Sequence, residues 1–196
     1  YVVINKNGLK LGIFGLMGID AADVAPSSKP VTFSKISKVA KKMSEFLKDK
    51  EKVDLVILLS HCGIYPDEKT KTYIGEDVDI AKKAPAIDII ISGHTHVSTP
   101  DYYKTGNAYI VQTGSYASQL GKINLKYQNG KISDFQFQLI SVNDQIAGDE
   151  EVNRNIEEYI DFIDQTKLLK TGLKYKQIVG KTDFDLTTDF TKLKES

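Results

Sequence analysis

The spacing of apolar and polar residues divides the chain into elements. Residues 1–5 and 9–16 are β-rich runs joined across Asn7-Gly8, a dipeptide that favours a tight hairpin turn. Residues 17–30 carry Gly, Asp, Pro and Ser without periodicity and predict a loop. Phe33, Ile36, Val39, Ala40, Met43, Phe46 and Leu47 then recur at three- and four-residue spacing, with Lys and Glu on the other face. That pattern predicts an amphipathic helix lying on a sheet, with Thr32 or Ser34 as its cap. Residues 53–60 form a nearly continuous apolar run, and residues 87–92 repeat it. Such runs are expected of strands buried on both faces of a parallel sheet. Between them lie a polar loop at 65–73 and a short helix at 76–84 stopped by Pro85. Strand, helix, strand over this length is a βαβ crossover.

Beyond residue 100 the chain turns to β-rich pieces at 108–113, 122–127 and 132–141, the last two joined through Asn129-Gly130. The fold class is therefore α/β, a mixed sheet with a βαβ crossover and an antiparallel finish, flanked by helices. Residues 149–170 read as a helix with Val152, Ile156, Ile160 and Ile163 as its apolar stripe. Residues 177–186 read as a strand with no sheet of its own to join, the severed beginning of another domain.

Composition changes the picture mainly by exclusion. Among 196 residues, 26 Lys and Arg balance 26 Asp and Glu, so the chain lacks the basic footprint of a nucleic-acid binder. The longest apolar run, 53–59, contains Asp54 and is too short to span a bilayer. A single cysteine, Cys62, excludes an internal disulfide framework and a multi-cysteine zinc site. No signal peptide precedes the first strand, which in a chain opening on Tyr1 says little about compartment.

The three histidines are His61, His94 and His96, and all fall just past the ends of the two buried runs. In an open α/β sheet the carboxyl ends of parallel strands form the crevice where ligands bind. If the strands are neighbours, the imidazoles converge, and imidazole suits zinc, iron or manganese. Alternate residues of an extended segment point apart, so His94 and His96 need a turn, or two adjacent ions, to serve one centre. Cys62 beside His61 is expected to be a buried, inert thiol. Tyr102, Tyr103 and Tyr116 lie near the expected crevice, where packing is weighed above stacking on a substrate. Asp67, Asp101 and Asn107 are expected to be solvated loop residues.

Leu59-Ser60-His61-Cys62-Gly63 resembles the strand and metal-binding histidine of the calcineurin-like metallophosphoesterases, and Ser92-Gly93-His94-Thr95-His96 is similar to their Gly-His-x-His signature. Three further stretches resemble the 5′-nucleotidase, UDP-sugar hydrolase and 2′,3′-cyclic phosphodiesterase branch. They are Gly75-Glu76-Asp77-Val78-Asp79-Ile80-Ala81, Ile110-Val111-Gln112-Thr113-Gly114 and Gly121-Lys122-Ile123-Asn124-Leu125. Val179-Gly180-Lys181-Thr182-Asp183-Phe184-Asp185-Leu186 resembles the opening strand of that branch's second domain.

The resemblance implies half of a metallophosphoesterase β-sandwich. Residues 1–145 would be the C-terminal half of the catalytic domain, 146–175 an interdomain linker helix, and 176–196 the truncated start of the nucleotidase domain. It implies a hydrolase of nucleotide phosphate esters using hydroxide bound to two divalent ions of the zinc, manganese, cobalt or iron class. His61 and His94 would ligate one ion and His96 the other. Location would be periplasmic, secreted or cell-surface. Two alternatives remain: a thiosulfate-ester hydrolase on the same scaffold, and a non-catalytic binding module.

The earlier ligand motifs of the family, Asp-x-His, Gly-Asp and Gly-Asn-His, do not occur in their places; Gly148-Asp149 follows the last strand. Three imidazoles without a bridging carboxylate cannot balance two divalent charges. The fragment is therefore expected to hold at most one ion, to hydrolyse little, and to self-associate through its exposed half-domain surface.

Overall fold

The computed structural model describes residues 1–184, with the side chains of Ala22, Val24 and Pro26 left aside. The chain divides into two units, residues 1–143 and 144–196.

In the first unit β1 (Val2–Lys6) and β2 (Leu9–Met17) close a hairpin in which Asn7 and Gly8 both take positive φ, 51° and 79°. That is the backbone a two-residue turn needs to match strand twist. Residues 17–30 are more ordered than expected, holding α1 (Ala21–Val24) and a 3-10 turn at Pro26–Ser28. Then come α2 (Ile36–Asp49) and β3 (Leu55–His61). Helix α2 begins after Lys35 with no side-chain cap, so neither Thr32 nor Ser34 caps it. The loop expected at 65–73 folds into a small hairpin of β4 (Tyr65–Asp67) and β5 (Thr72–Ile74), followed by α3 (Glu76–Lys83) and β6 (Ile89–Ser92). The unit continues with β7 (Tyr103–Thr105), β8 (Ala108–Gln112), β9 (Gln119–Gln128) and β10 (Lys131–Ser141).

The main sheet runs β1-β2-β3-β6-β8-β7. Its four central strands are parallel, and β1 and β7 add antiparallel edges. Strands β3 and β6 are neighbours, joined through α3 as the expected βαβ unit, with Ile57 opposite Ile89 and Leu59 opposite Ile91.

Period-two alternation sends Val56, Leu58, Ile90 and Ile110 to one face, where they meet Ala40 and Leu47 of α2 and Ile80 and Ala81 of α3. These aliphatic side chains are almost wholly removed from water, which stabilises the fold by about 1.5–3 kcal/mol for each large one. On the opposite face Phe135, Ile123, Leu125 and Phe137 of the β9–β10 hairpin pack on Ile57, Ile89, Tyr109 and Val111. Phe135 stacks on Tyr109 with ring centroids 4.2 Å apart. The hairpin covers only part of that face: Val2, Ile4, Met17, Leu59 and Ile91 stay exposed.

In the second unit Asp149 caps α4 (Glu150–Ile163), its carboxylate accepting from the backbone N–H groups of Glu151 and Val152. The expected helix to residue 170 continues only as a π turn at Asp164–Leu168 and a 3-10 turn at Leu169–Thr171. Residues 177–184 form no strand; the remainder of the expected strand, 185–186, lies outside the described residues.

Candidate metal centre

Because β2, β3 and β6 are parallel, their carboxyl ends lie on one edge of the sheet, and each is followed by a residue with a metal-binding side chain. Strand β3 ends on His61, paired with Met17 at the end of β2. Two residues beyond β6 comes His94, and three beyond β2 comes Asp20. The rings of His61 and His94 stand with centroids 5.0 Å apart, and His94 Nε2 lies 2.8 Å from Asp20 Oδ2. His61, His94 and Asp20 line one pocket of about 250 Å³ with Met17, Ala21 and Ala25.

His96 is placed differently. Its ring meets the edge of Tyr116 at 5.3 Å, away from the lining of that pocket. The expectation is that all three histidines converge; His61 and His94 line one pocket, and His96 is not among its lining residues. The reason lies in the backbone: His94 and His96 both adopt left-handed φ, 79° and 57°, around Thr95. Holding non-glycine residues there costs on the order of 1–3 kcal/mol each, strain that proteins keep at functional sites. Two such turns re-aim successive side chains, so the alternation rule for extended segments no longer applies.

Neighbouring loops fix these positions. Gly63 has φ 90°, and a Cβ there would stand 2.1 Å from Thr95 Cγ2, so only glycine lets the two histidine loops touch. Thr95 Oγ1 donates to the Ile64 carbonyl at 2.7 Å across the same junction, and Gly18 N–H donates to the His61 carbonyl at 3.0 Å. A Cβ on Gly93 would lie 3.3 Å from His61 Nδ1, so its absence leaves the imidazole room.

Behind the loops lies a fully buried carboxylate. Asp77 of α3 accepts from Ser60 Oγ at 2.5 Å, Ser92 Oγ at 2.6 Å and Gly63 N–H at 3.1 Å. Burial pushes its pKa above the ordinary carboxylate value, while these hydrogen bonds pull the other way. Burial likewise pushes the Cys62 thiol up to about 12, with Asp77, Glu76 and Asp20 adding to the shift and a hydrogen bond to Ser60 opposing it. Cys62 is thus the inert thiol expected.

Of the other residues weighed, Tyr102 packs edge-on against Tyr109 and Phe135, and Tyr103 against Tyr73. Tyr116 is 89% exposed. Asp67 binds Lys69 and Thr70 of its own turn, Asp101 the backbone of Tyr102, and Asn107 the Pro85 carbonyl. Asp20 and Asp77 were given no role by sequence reasoning. Asp20 was findable, since the rule that singles out residues after β3 and β6 applies equally to the end of β2.

Two imidazoles and a carboxylate around one pocket are donors suited to a zinc-, manganese- or iron-class ion. The set is not closed: among the described residues no three His, Cys, Asp or Glu side chains form a metal-holding group. Asp20 instead engages His94 Nε2 directly.

Comparison with known proteins gives this arrangement its context. The sequence model described as calcineurin-like phosphoesterase matches residues 5–98. Protein UshA of Yersinia enterocolitica is 27% identical over 164 residues, covering 73% of this chain and 30% of that protein. A 5′-nucleotidase of Vibrio cholerae is 28% identical over 164 residues, with the same coverage of each. Among solved structures, the Thermus thermophilus sulfate thiohydrolase SoxB superposes with a TM-score of 0.66 at 21% identity, covering 85% of this chain and 29% of that one, a likeness of fold. The chain spans less than a third of the length of these relatives. Residues 5–98 are thus similar to calcineurin-like phosphoesterases, and over a longer stretch the chain is similar to UshA and 5′-nucleotidase proteins.

Proposed function

We propose that this chain is the part of a metal-dependent phosphoesterase of the 5′-nucleotidase type that supplies the histidine ligands. The observation that carries the reading is the His61–His94 pair, 5.0 Å apart at the ends of adjacent parallel strands and facing one pocket with Asp20. His61 and His94 would hold one divalent ion of the zinc, manganese, cobalt or iron class, and His96, beside Tyr116, would serve a second. Such ions lower the pKa of water and neutralise charge on a phosphoryl group. The chain's own contribution is placement: Gly63 and Gly93 keep the loops close, and Asp20 orients the His94 ring through Nε2.

By itself the chain is an incomplete site. Among the described residues no three His, Cys, Asp or Glu side chains form a metal-holding group, and part of one sheet face is bare beside His61. The substrate would be a nucleoside monophosphate or a related phosphate ester, and the location exported. The exposed face, ending in the free edge of β1, would bring isolated chains together.

The test is phosphate release by the intact protein to which these residues belong. It is expected to hydrolyse a nucleoside monophosphate with Mn²⁺, Co²⁺ or Zn²⁺, to stop on chelation, and to lose activity in His94→Ala. The 196-residue chain alone is expected to release little. Full activity in His94→Ala would overturn the assignment.

A further inference from the structure

The hydrogen bonds of Asp77 reach every histidine-bearing segment. Ser60, which donates to Oδ1, immediately precedes His61; Gly63, whose N–H reaches Oδ2, lies two residues after it. Ser92, which donates to Oδ2, lies two residues before His94. The chain of bonds continues across the sheet. With the Gln112 amide turned to satisfy both its ends, its nitrogen donates to Ser92 Oγ at 3.0 Å. Its oxygen then accepts from the backbone N–H groups of His96 at 3.2 Å and Val97 at 3.0 Å. One continuous network therefore links the backbone around His61, His94 and His96, and Asp77, 0% exposed, is its hub.

Position within the elements explains why an acid sits there. Ser60, Ser92 and Gln112 are the residues of β3, β6 and β8 that face α3 just before the chain enters the crevice loops. A carboxylate offers acceptors to several donors at once, where an amide offers only one oxygen. Among the described residues no Lys or Arg pairs with Asp77, so its burial rests on the hydroxyl and backbone donors.

We propose that Asp77 is the positioning residue of the histidine centre: through Ser60, Gly63, Ser92 and Gln112 it sets the relative placement of His61, His94 and His96. This rests on the metal reading given above for the consequence on affinity, and on geometry alone for the placement of the rings. Outer-shell partners of this kind typically change metal affinity by about tenfold to a hundredfold when replaced.

The experiment compares wild type, D77N and S92A by competitive zinc titration, by the imidazole NMR signals of the metal-free protein, and by thermal unfolding. A destabilised core variant, Leu47→Ala, serves as control. The expected result is zinc affinity reduced about tenfold or more in D77N, less in S92A and unchanged in folded Leu47→Ala, with displaced His61 and His94 signals in D77N. If D77N does not fold, S92A carries the comparison alone. Wild-type affinity and unmoved imidazole signals in a folded variant would overturn the proposal and leave Asp77 a stabilising residue only. If wild type itself binds no zinc, the metal reading falls, and the metal-free signals decide the placement: moved in D77N they support it, unmoved they overturn it.

Discussion

At the scale of single residues, burial against hydrogen bonding decides the chemistry around the histidine loops. Cys62 shows one extreme: it is buried beside several carboxylates, and its thiol is held too high to act as a nucleophile. Asp77 shows the other, a buried acid kept in place by three donors. Its raised pKa fixes the sign of a pH dependence. The folded protein holds this proton more firmly than the unfolded chain does. Asp77's contribution to stability is therefore greatest below the ordinary carboxylate value, near pH 4, and declines as pH rises through its folded value. Denaturant unfolding of wild type and D77N across pH 4 to 8 is expected to show the difference between them shifting against wild type as pH rises. A difference that moves toward wild type would contradict the assignment. Nothing in the sequence announced this, because the donors to Asp77 come from β3, β6 and the loop after β3, which only the folded sheet brings together.

At the scale of elements, alternation and register account for most of what was readable. The continuous apolar runs at β3 and β6 are largely buried strands because α2 and α3 cover one face and β9–β10 part of the other, leaving Leu59 and Ile91 exposed. Both Asn-Gly turns were legible for the same reason that they form: each supplies two positive φ values. Two misreadings also have physical causes. Residues 65–73 read as a loop because a hairpin of two three-residue strands buries too little to leave a periodic signature. Helix α2 starts without a side-chain cap because Thr32 and Ser34 lie before its first turn and packing of Ile36, Ala40 and Leu47 suffices. The left-handed turns at His94 and His96, which aim these rings differently from those of an extended segment, are something no spacing rule reveals.

The same register exposes a consequence at this scale. Leu59 and Ile91 are paired neighbours on the bare part of the sheet and are 47% and 38% exposed. Leu59→Ser is expected to cost on the order of 1 kcal/mol, since only about half of the side chain is buried. It is also expected to reduce self-association of the isolated chain in light scattering. A wild-type chain that runs as a sharp 21.8 kDa monomer would contradict this use of the face.

At the scale of the whole molecule, one edge of a parallel sheet gathers the chemistry, and the helices and loops of the first unit hold it there. Sheet order places the ends of β2, β3 and β6 side by side, so Asp20, His61 and His94 meet although 74 residues separate the first from the last. The second unit contributes an amphipathic helix whose Val152 and Ile156 remain exposed, and a following segment without strand over residues 177–184. The phosphoesterase reading depends on what the pocket between His61 and His94 accepts. The most direct measurement is anomalous diffraction from crystals soaked in Zn²⁺ or Mn²⁺. The account predicts a peak within bonding distance of imidazole nitrogens of both His61 and His94. A peak bound elsewhere, with this pocket empty at saturating metal, would contradict it.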